Sequence, residues 1–376
     1  MIKCLFHLPG GRRWIAAHIA QTIFGFLRLS HDGIVDLSFS YDAEKDKALP
    51  PGSWLVEIDG RRVCCDIADA NLNTPAEVDA LLEKNFDFIF KRSLDPAIAR
   101  EVKNKDRYLP LGLFFRFFPP RFNITVVERA QQSTFSRRFS RVLGILTNCN
   151  GIKSLIPYAA DVDKYWTVGS MPNPDIDVLF TLRLWSNCAS NPNGRQHENR
   201  LGHGACFTDA PDWKERTEER ILFLREFREH FKEWKIVCGV SDSPLARELC
   251  PDLVLPHRVT DRANFRKMIG RAKVCVTTTG LWGSTGGKFT EFVSAGKAIV
   301  SNPLRHIVPG EFAEGKNYLA FTGKEELFDR CEYLLTRSEE TRLMGLRNAW
   351  YYRHYVRPDM MVLNMIRTVL CEKIIM

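Results

Sequence analysis

The chain has 376 residues, 45% of them hydrophobic and 26% charged, with a formal net charge of +8. That length exceeds one ordinary core and suits two domains of roughly 150 to 200 residues each. The composition excludes a disordered, collagen-like or disulfide-scaffolded chain. The basic excess fits a protein that handles anions (a nucleoside diphosphate, nucleic acid or an acidic membrane surface) and equally a solvated scatter of Lys and Arg.

Eleven cysteines include one adjacent pair, Cys64-Cys65, and no Cys-x-x-Cys. An odd count without zinc spacing reads as reduced, mostly buried thiols in a reducing compartment, so a cytoplasmic location is expected. Pro9, Gly10, Gly11, Arg12 and Arg13 break the N-terminal apolar stretch, and no secretory signal is expected. The longest apolar window, Ile15 to Leu27, contains His18, Gln21 and Thr22 and is too short to span a bilayer. A soluble chain is expected, with peripheral attachment to a membrane left open.

In chain order, Ile2 to Leu8 reads as a buried strand, followed by a Pro-Gly-Gly turn and a helix from about Arg12 to Leu27. Ser53 to Ile58 and Arg62 to Asp66 flank Asp59-Gly60, a two-residue hairpin signal. Thr74-Pro75-Ala76-Glu77 opens a helix with a capping box, and Phe86 to Phe90 is a short strand. Ser170 to Asp175, with two prolines, reads as a linker. Beyond it the pattern alternates. Strands are expected at Ile176 to Trp185, Lys235 to Val240, Leu253 to Leu255, Lys273 to Thr279 and Ala298 to Ser301. Helices are expected at Arg216 to Phe231, Pro244 to Leu249 and about Arg262 to Arg271. Such alternation indicates right-handed crossovers and a parallel sheet, whose ligands bind beyond the carboxyl ends of the strands.

The most informative segment runs from Thr277 to Val300 and reads strand, glycine loop, helix, strand. Gly280, Gly283, Gly286 and Gly287 permit close backbone approach, and Ser284 or Thr285 is placed to cap the helix. The helix N-terminus then offers N–H groups and a dipole to an anion such as a diphosphate. Helix phase puts Phe289, Phe292 and Val293 on the core side and Lys288 and Glu291 on the other. Lys288 suits a phosphate and Glu291 a ribose hydroxyl. The plainer alternative is a surface ion pair between them, worth roughly 0.2 to 0.5 kcal/mol. A P-loop is excluded, because position 282 is Trp and position 289 is Phe.

This segment resembles the donor-binding region of GT-B glycosyltransferases of the broad "group 1" class, in particular a bacterial and viral subgroup. The similarity extends over Leu304 to Phe321 and Trp350 to Pro358, and more thinly to Phe90-Lys91-Arg92-Ser93 and Leu109-Pro110-Leu111-Gly112. It implies an α/β chain of two Rossmann-like domains facing a cleft: an acceptor-side domain over 1–170, a nucleotide-sugar domain over 171–350, and a C-terminal helix over 351–376 that returns to the first domain. It also implies transfer of a sugar from a nucleotide donor to a glycan, lipid-linked or protein acceptor, with no obligatory metal or other cofactor. By position Glu291 matches the second glutamate of the group's Glu-x7-Glu motif, which meets ribose. The first would fall at 283, which is Gly.

Arg183, near the end of a strand, is expected to clamp the diphosphate. Gly10 and Gly11 follow the first strand and belong to a loop expected to face the cleft. Candidates for a base that deprotonates an acceptor are Asp66, Asp69, His31, Asp32 and His7. Lys91 and Arg92 are expected to bring positive charge to the cleft or to cap a helix, and Leu113 to Pro120 is an aromatic run suited to a buried core. A sugar-nucleotide epimerase of the same fold and a non-catalytic sugar or nucleic-acid binder are the alternatives. No zinc finger, helix-turn-helix or aromatic-basic module is present, so nucleic acid is not expected as a partner.

Overall fold

The computed structural model describes residues 1–7, 13–40, 49–50, 52–69, 74–114, 174–187, 206–208 and 213–371. The chain folds as two compact units. One holds Met1–Thr167, His306–Gly310 and Arg353–Met376; the other holds Val168–Arg305 and Glu311–Tyr352.

In the first unit, strand β1 (Ile2–His7) runs into helix α1 (Arg13–His31) and returns as β2 (Val35–Ser40), parallel to β1. β3 (Ser53–Ile58) and β4 (Arg61–Asp66) form the hairpin expected around Asp59-Gly60, whose φ values are 45° and 79°. Helix α2 (Pro75–Lys84) carries the full Thr74–Glu77 capping box. β5 (Phe88–Lys91), α3 (Pro96–Glu101) and β6 (Tyr108–Pro110) follow, and the sheet order is β2-β1-β3-β4-β5-β6. β3 is antiparallel to both its neighbours, so this sheet departs from a wholly parallel Rossmann-like one. The hairpin explains it: a two-residue link joins only antiparallel strands. Cys4, Phe6, Trp54 and Val56 point into a core under α1, and Cys64, Ile89 and Tyr108 into a second core with Val78 and Leu82 of α2.

The second unit begins with β7 (Ile176–Leu182), buried at every residue, and a short parallel ribbon of β8 (Trp185–Asn187) and β9 (Cys206–Thr208). Helix α4 (Trp213–His230), β10 (Ile236–Ser241), α5 (Pro244–Leu249), β11 (Val254–Leu255), α6 (His257–Thr260) and α7 (Arg262–Arg271) follow. Then come β12 (Ala272–Thr277), α8 (Gly287–Ser294), β13 (Ala298–Ser301), β14 (Leu319–Ala320), α9 (Lys324–Thr336) and α10 (Ser338–Tyr351). The sheet order is β11-β10-β7-β12-β13-β14, and every pairing is parallel. Numbered within this sheet, that is 3-2-1-4-5-6, the doubly wound order of dinucleotide-binding sheets. Phe180, Phe223, Phe227 and Phe321 fill its core, and Phe227 meets Phe180 edge-on and stacks on Phe231.

After α10 a π-helical turn, Tyr352–Val356, leads to α11 (Pro358–Cys371). Val362, Met365, Ile366 and Val369 of α11 join the core of the first unit beside Ile19, Ile23 and Phe26 of α1. The α/β class, the two units and the returning terminal helix are thus as the sequence indicated. No helix among the described residues is long and apolar enough to cross a membrane.

Candidate functional site

In an open doubly wound sheet, ligands bind beyond the carboxyl ends of the strands where the order reverses. In the second unit that point lies between β7 and β12, which are adjacent with Val276 beside Phe180. The segments that follow these two strands carry most of the donor-site residues expected from the sequence. Arg183 comes directly after β7 with its side chain exposed. The glycine loop 280–287 follows β12.

The loop is closed on itself. The Gly280 N–H donates to the Ser284 carbonyl at 2.7 Å, and the Thr279 N–H donates to Asn302 Oδ1 at 3.1 Å. Trp282 (φ 53°) and Gly283 (φ 70°) are both left-handed. Gly283 also lies against Arg305, whose Cδ is 3.1 Å from where a Cβ would stand. Trp282 has no such freedom; a left-handed non-glycine residue costs about 1–2 kcal/mol, and such conformations gather at functional sites. Its indole is 37% exposed at the loop tip.

Helix α8 starts at Gly287 with Gly286 as N-cap, and no side chain caps it. This corrects the expectation that Ser284 or Thr285 would do so. Ser284 is buried, its Oγ turned toward Gly280, while space beside Gly286 is open. The first turn therefore presents its N–H groups without a competing side-chain oxygen. A nearby anion gains about 0.3–1 kcal/mol from the dipole when exposed, and up to about 2 kcal/mol when partly buried.

The helix phase read from the sequence holds: Phe289, Phe292 and Val293 are buried, and Lys288 and Glu291 are not. These two do not form the plain surface pair, however. The Lys288 ammonium reaches back across the reversal point to the end of β7, donating to the Thr181 carbonyl at 2.6 Å and to Thr181 Oγ1 at 3.1 Å. It also lies 5.0 Å from the centre of the Phe265 ring. Glu291 pairs with Arg262 of α7 at 3.2 Å. Arg266, one turn further along α7, feels the same carboxylate. Burial first, and then the Arg262 charge, push its guanidinium below its ordinary range, with Glu291 opposing them. Arg262 thus pairs with Glu291, and the same carboxylate acts through its charge on Arg266.

Sequence reasoning missed Arg220. It is 5% exposed on α4, stacks 3.6 Å over the Trp185 ring, and donates to Thr278 Oγ1, the Thr279 carbonyl and the Arg183 carbonyl. It thus ties the segment after β7 to the segment after β12. The signal was present: Thr217, Arg220, Leu224 and Phe227 share the buried face at helical spacing.

The first-unit candidates are scattered. His31 ends α1 and Asp32 follows it, before the amino end of β2 and so at the opposite edge from the carboxyl ends; Asp32 pairs with Arg28 at 2.8 Å. Asp66 ends β4 and pairs with Lys91 at 3.1 Å, both nearly fully buried, and it accepts from the Ala68 N–H. Burial pushes the Asp66 carboxyl up, against the pull of Lys91, and pushes the Lys91 ammonium down, against the pull of Asp66. Asp69 pairs with Arg92. Lys91 and Arg92 therefore hold local carboxylates. Leu113 and Phe114 are buried, while 115–120 and the Gly10-Gly11 loop fall outside the described residues. Among the described residues no three His, Cys, Asp or Glu side chains gather as a metal would require; Cys4, Cys64, Cys65, Cys238, Cys250, Cys275 and Cys331 are buried free thiols, and Cys371 is an exposed one.

No protein-family model and no curated protein matches the chain. Solved structures do match at a distance. A putative UDP-N-acetylglucosamine 2-epimerase from Listeria monocytogenes is 13% identical with a TM-score of 0.37, over 99% of this chain and 96% of that one. WaaG, a glycosyltransferase involved in lipopolysaccharide biosynthesis, is 13% identical with a TM-score of 0.36, over 81% of this chain and 74% of its own. Anabaena Alr3699/HepE, solved in complex with UDP, is 11% identical with a TM-score of 0.32, over 98% and 99%. The chain's own α/β class rests on its two six-stranded sheets and the helices between their strands.

Proposed function

We propose that the chain is a glycosyltransferase that moves a sugar from a nucleoside-diphosphate donor to a hydroxyl-bearing glycan, lipid-linked or protein acceptor without an obligatory metal. The observation that carries this reading is the uncapped N-terminus of α8, placed at the order reversal of a 3-2-1-4-5-6 sheet. In this reading the diphosphate lies against the N–H groups of residues 286–288, with Arg183 and Lys288 supplying charge. Those groups stabilise the departing nucleoside diphosphate as its charge develops, in place of a metal ion. Glu291, one turn onward, receives the ribose hydroxyls. Its pairing with Arg262 holds the carboxylate in place until the ligand arrives. The exposed Trp282 offers a ring face beside the phosphates.

A thermal-shift panel of UDP-, GDP-, CDP- and dTDP-glucose tests the donor site. A ligand that binds only the native chain at a hundred times its Kd stabilises it by about 2.7 kcal/mol. One member of the panel is expected to raise the melting temperature, and silence from all four would sink the reading. Donor turnover that needs an acceptor marks transfer, while turnover to an isomer without one marks the epimerase. Activity is expected to survive EDTA, and loss restored by manganese would remove the metal-free part.

A further inference from the structure

The second sheet ends at β11, which is two residues long and pairs only with Val240 and Ser241 of β10. β7 runs along the other side of β10 from Ile236 to Val240. Among the described residues, Ile236 to Gly239 therefore have no strand on the side turned away from β7. A groove of about 420 Å³ borders this open stretch, within the size range of small-molecule sites. Its apolar lining is Ile236, Val237, Leu255 and Val259, all half-buried, and its cations are Arg228 and Lys232.

An open strand edge invites a further strand. Arg228 closes this one. Its Nε and Nη2 donate to the Cys238 carbonyl at 2.9 and 2.6 Å, and its Nη1 donates to the Asp252 carbonyl. A guanidinium carries five N–H groups, so these bonds leave two. All three acceptors are neutral carbonyl oxygens. The Asp252 carboxylate pairs with Arg225 at 2.9 Å and feels Arg228 only as a lesser charge. Lys232 adds a second cation from the turn after α4. It pairs with Glu229 at 2.9 Å, but both side chains are mostly exposed. Such a pair contributes little to stability, so the ammonium can turn to a ligand.

These features select one kind of occupant. A peptide strand would need the Cys238 carbonyl that Arg228 already holds. A neutral amphiphile would set its alkyl chain against two cations and answer neither charge. An acid with an apolar body satisfies both halves of the groove, because charged hydrogen bonds strengthen where apolar walls keep water away. We propose that this groove binds a free carboxylate of the fatty-acid class, its carboxylate at Arg228 and Lys232 and its alkyl chain on Ile236, Val237, Leu255 and Val259. The site is independent of the glycosyl-transfer reading. It lies on the side of β10 away from β7, whereas that reading sets the nucleotide between β7 and β12.

Calorimetric titration of the whole chain with decanoate, kept below its micelle-forming concentration, is expected to show saturable binding. 1-Decanol is expected to bind at least about tenfold more weakly, since it lacks the charge that Arg228 and Lys232 answer. Lys232→Glu reverses a charge at the rim, and Val259→Asp sets a carboxylate among the apolar walls. Each is expected to weaken decanoate binding by at least about tenfold. Neither side chain is fully buried, so both variants carry the test if Arg228→Met, which uncovers the strand edge, does not fold. Methyl NMR locates the ligand: Val237, Leu255 and Val259 are expected to shift with decanoate, and Val293 of α8 is not. Absence of saturable binding, equal affinity for 1-decanol, unchanged affinity in Lys232→Glu and Val259→Asp, or shifts at Val293 without shifts at the groove would each overturn the proposal.

Discussion

Glu291 carries the sharpest test at the scale of single residues. It is half-buried on the solvent side of α8 and pairs with Arg262. A partly exposed pair of this kind contributes about 0–1 kcal/mol to stability. A carboxylate accepting from ribose hydroxyls makes charged hydrogen bonds worth about 1.5–3 kcal/mol each in the complex. Glu291→Ala is therefore expected to weaken nucleotide binding by at least about tenfold while moving the unfolding midpoint little. Calorimetric titration and denaturant unfolding check the two halves, and an unchanged affinity would remove Glu291 from the site. The sequence made Glu291 and Lys288 legible because helix phase separates them from Phe289, Phe292 and Val293. Their partners were not legible. Arg262 and Thr181 lie on other elements, and spacing along one helix says nothing about a pair formed between two. Arg220 escaped for another reason: an arginine on an apolar face reads as an interruption until its carbonyl partners are seen.

At the scale of elements, the contact between α1 and α11 reverses an ordinary rule. Gly25 sits inside α1, where replacing glycine by alanine normally gains about 1 kcal/mol of helix propensity. Here a Cβ at residue 25 would stand 2.2 Å from the Pro358 carbonyl oxygen and 2.4 Å from Val362 Cγ2. A backbone carbonyl cannot step aside as a flexible side chain can, so α11 must shift. Overpacking of this kind costs about 1–3 kcal/mol, which exceeds the propensity gain. Gly25→Ala is expected to lower the denaturation midpoint, and an unchanged or raised midpoint would mean that α11 does not pack there. The residues themselves did not show this surface, because a return over more than 300 residues leaves no local trace. Only the resemblance to GT-B chains indicated it. The hairpin at Asp59-Gly60 was the opposite case. Its turn chemistry is local, so it was read correctly, and it already implied the antiparallel strand that interrupts the first sheet.

At the scale of the whole molecule, length alone implied two domains, and two compact units are present: among the described residues the first holds a core under α1 and α11 and another against α2, the second a core around Phe180 and Phe227. What length could not give is the chain's path. The first unit takes back His306–Gly310 and everything from Arg353 onward. A pass along the sequence assigns domains as unbroken spans, whereas packing recruits whichever segment has the matching apolar face. Separate units with one proposed nucleotide site, on the second, imply an uneven response to ligand. The nucleotide that raises the melting temperature stabilises chiefly the unit that holds it, because only native-state binding adds to stability. Hydrogen exchange should then slow at β7, β12 and α8, where the loop and the reversal point lie. The amides of β1 and β4 to β6 should exchange as before, since their local openings are set by a different core. Saturation with the nucleotide alone, without its sugar, keeps the acceptor out of the comparison. Protection confined to the first unit would place the nucleotide on the other sheet and remove the uncapped helix end as its anchor.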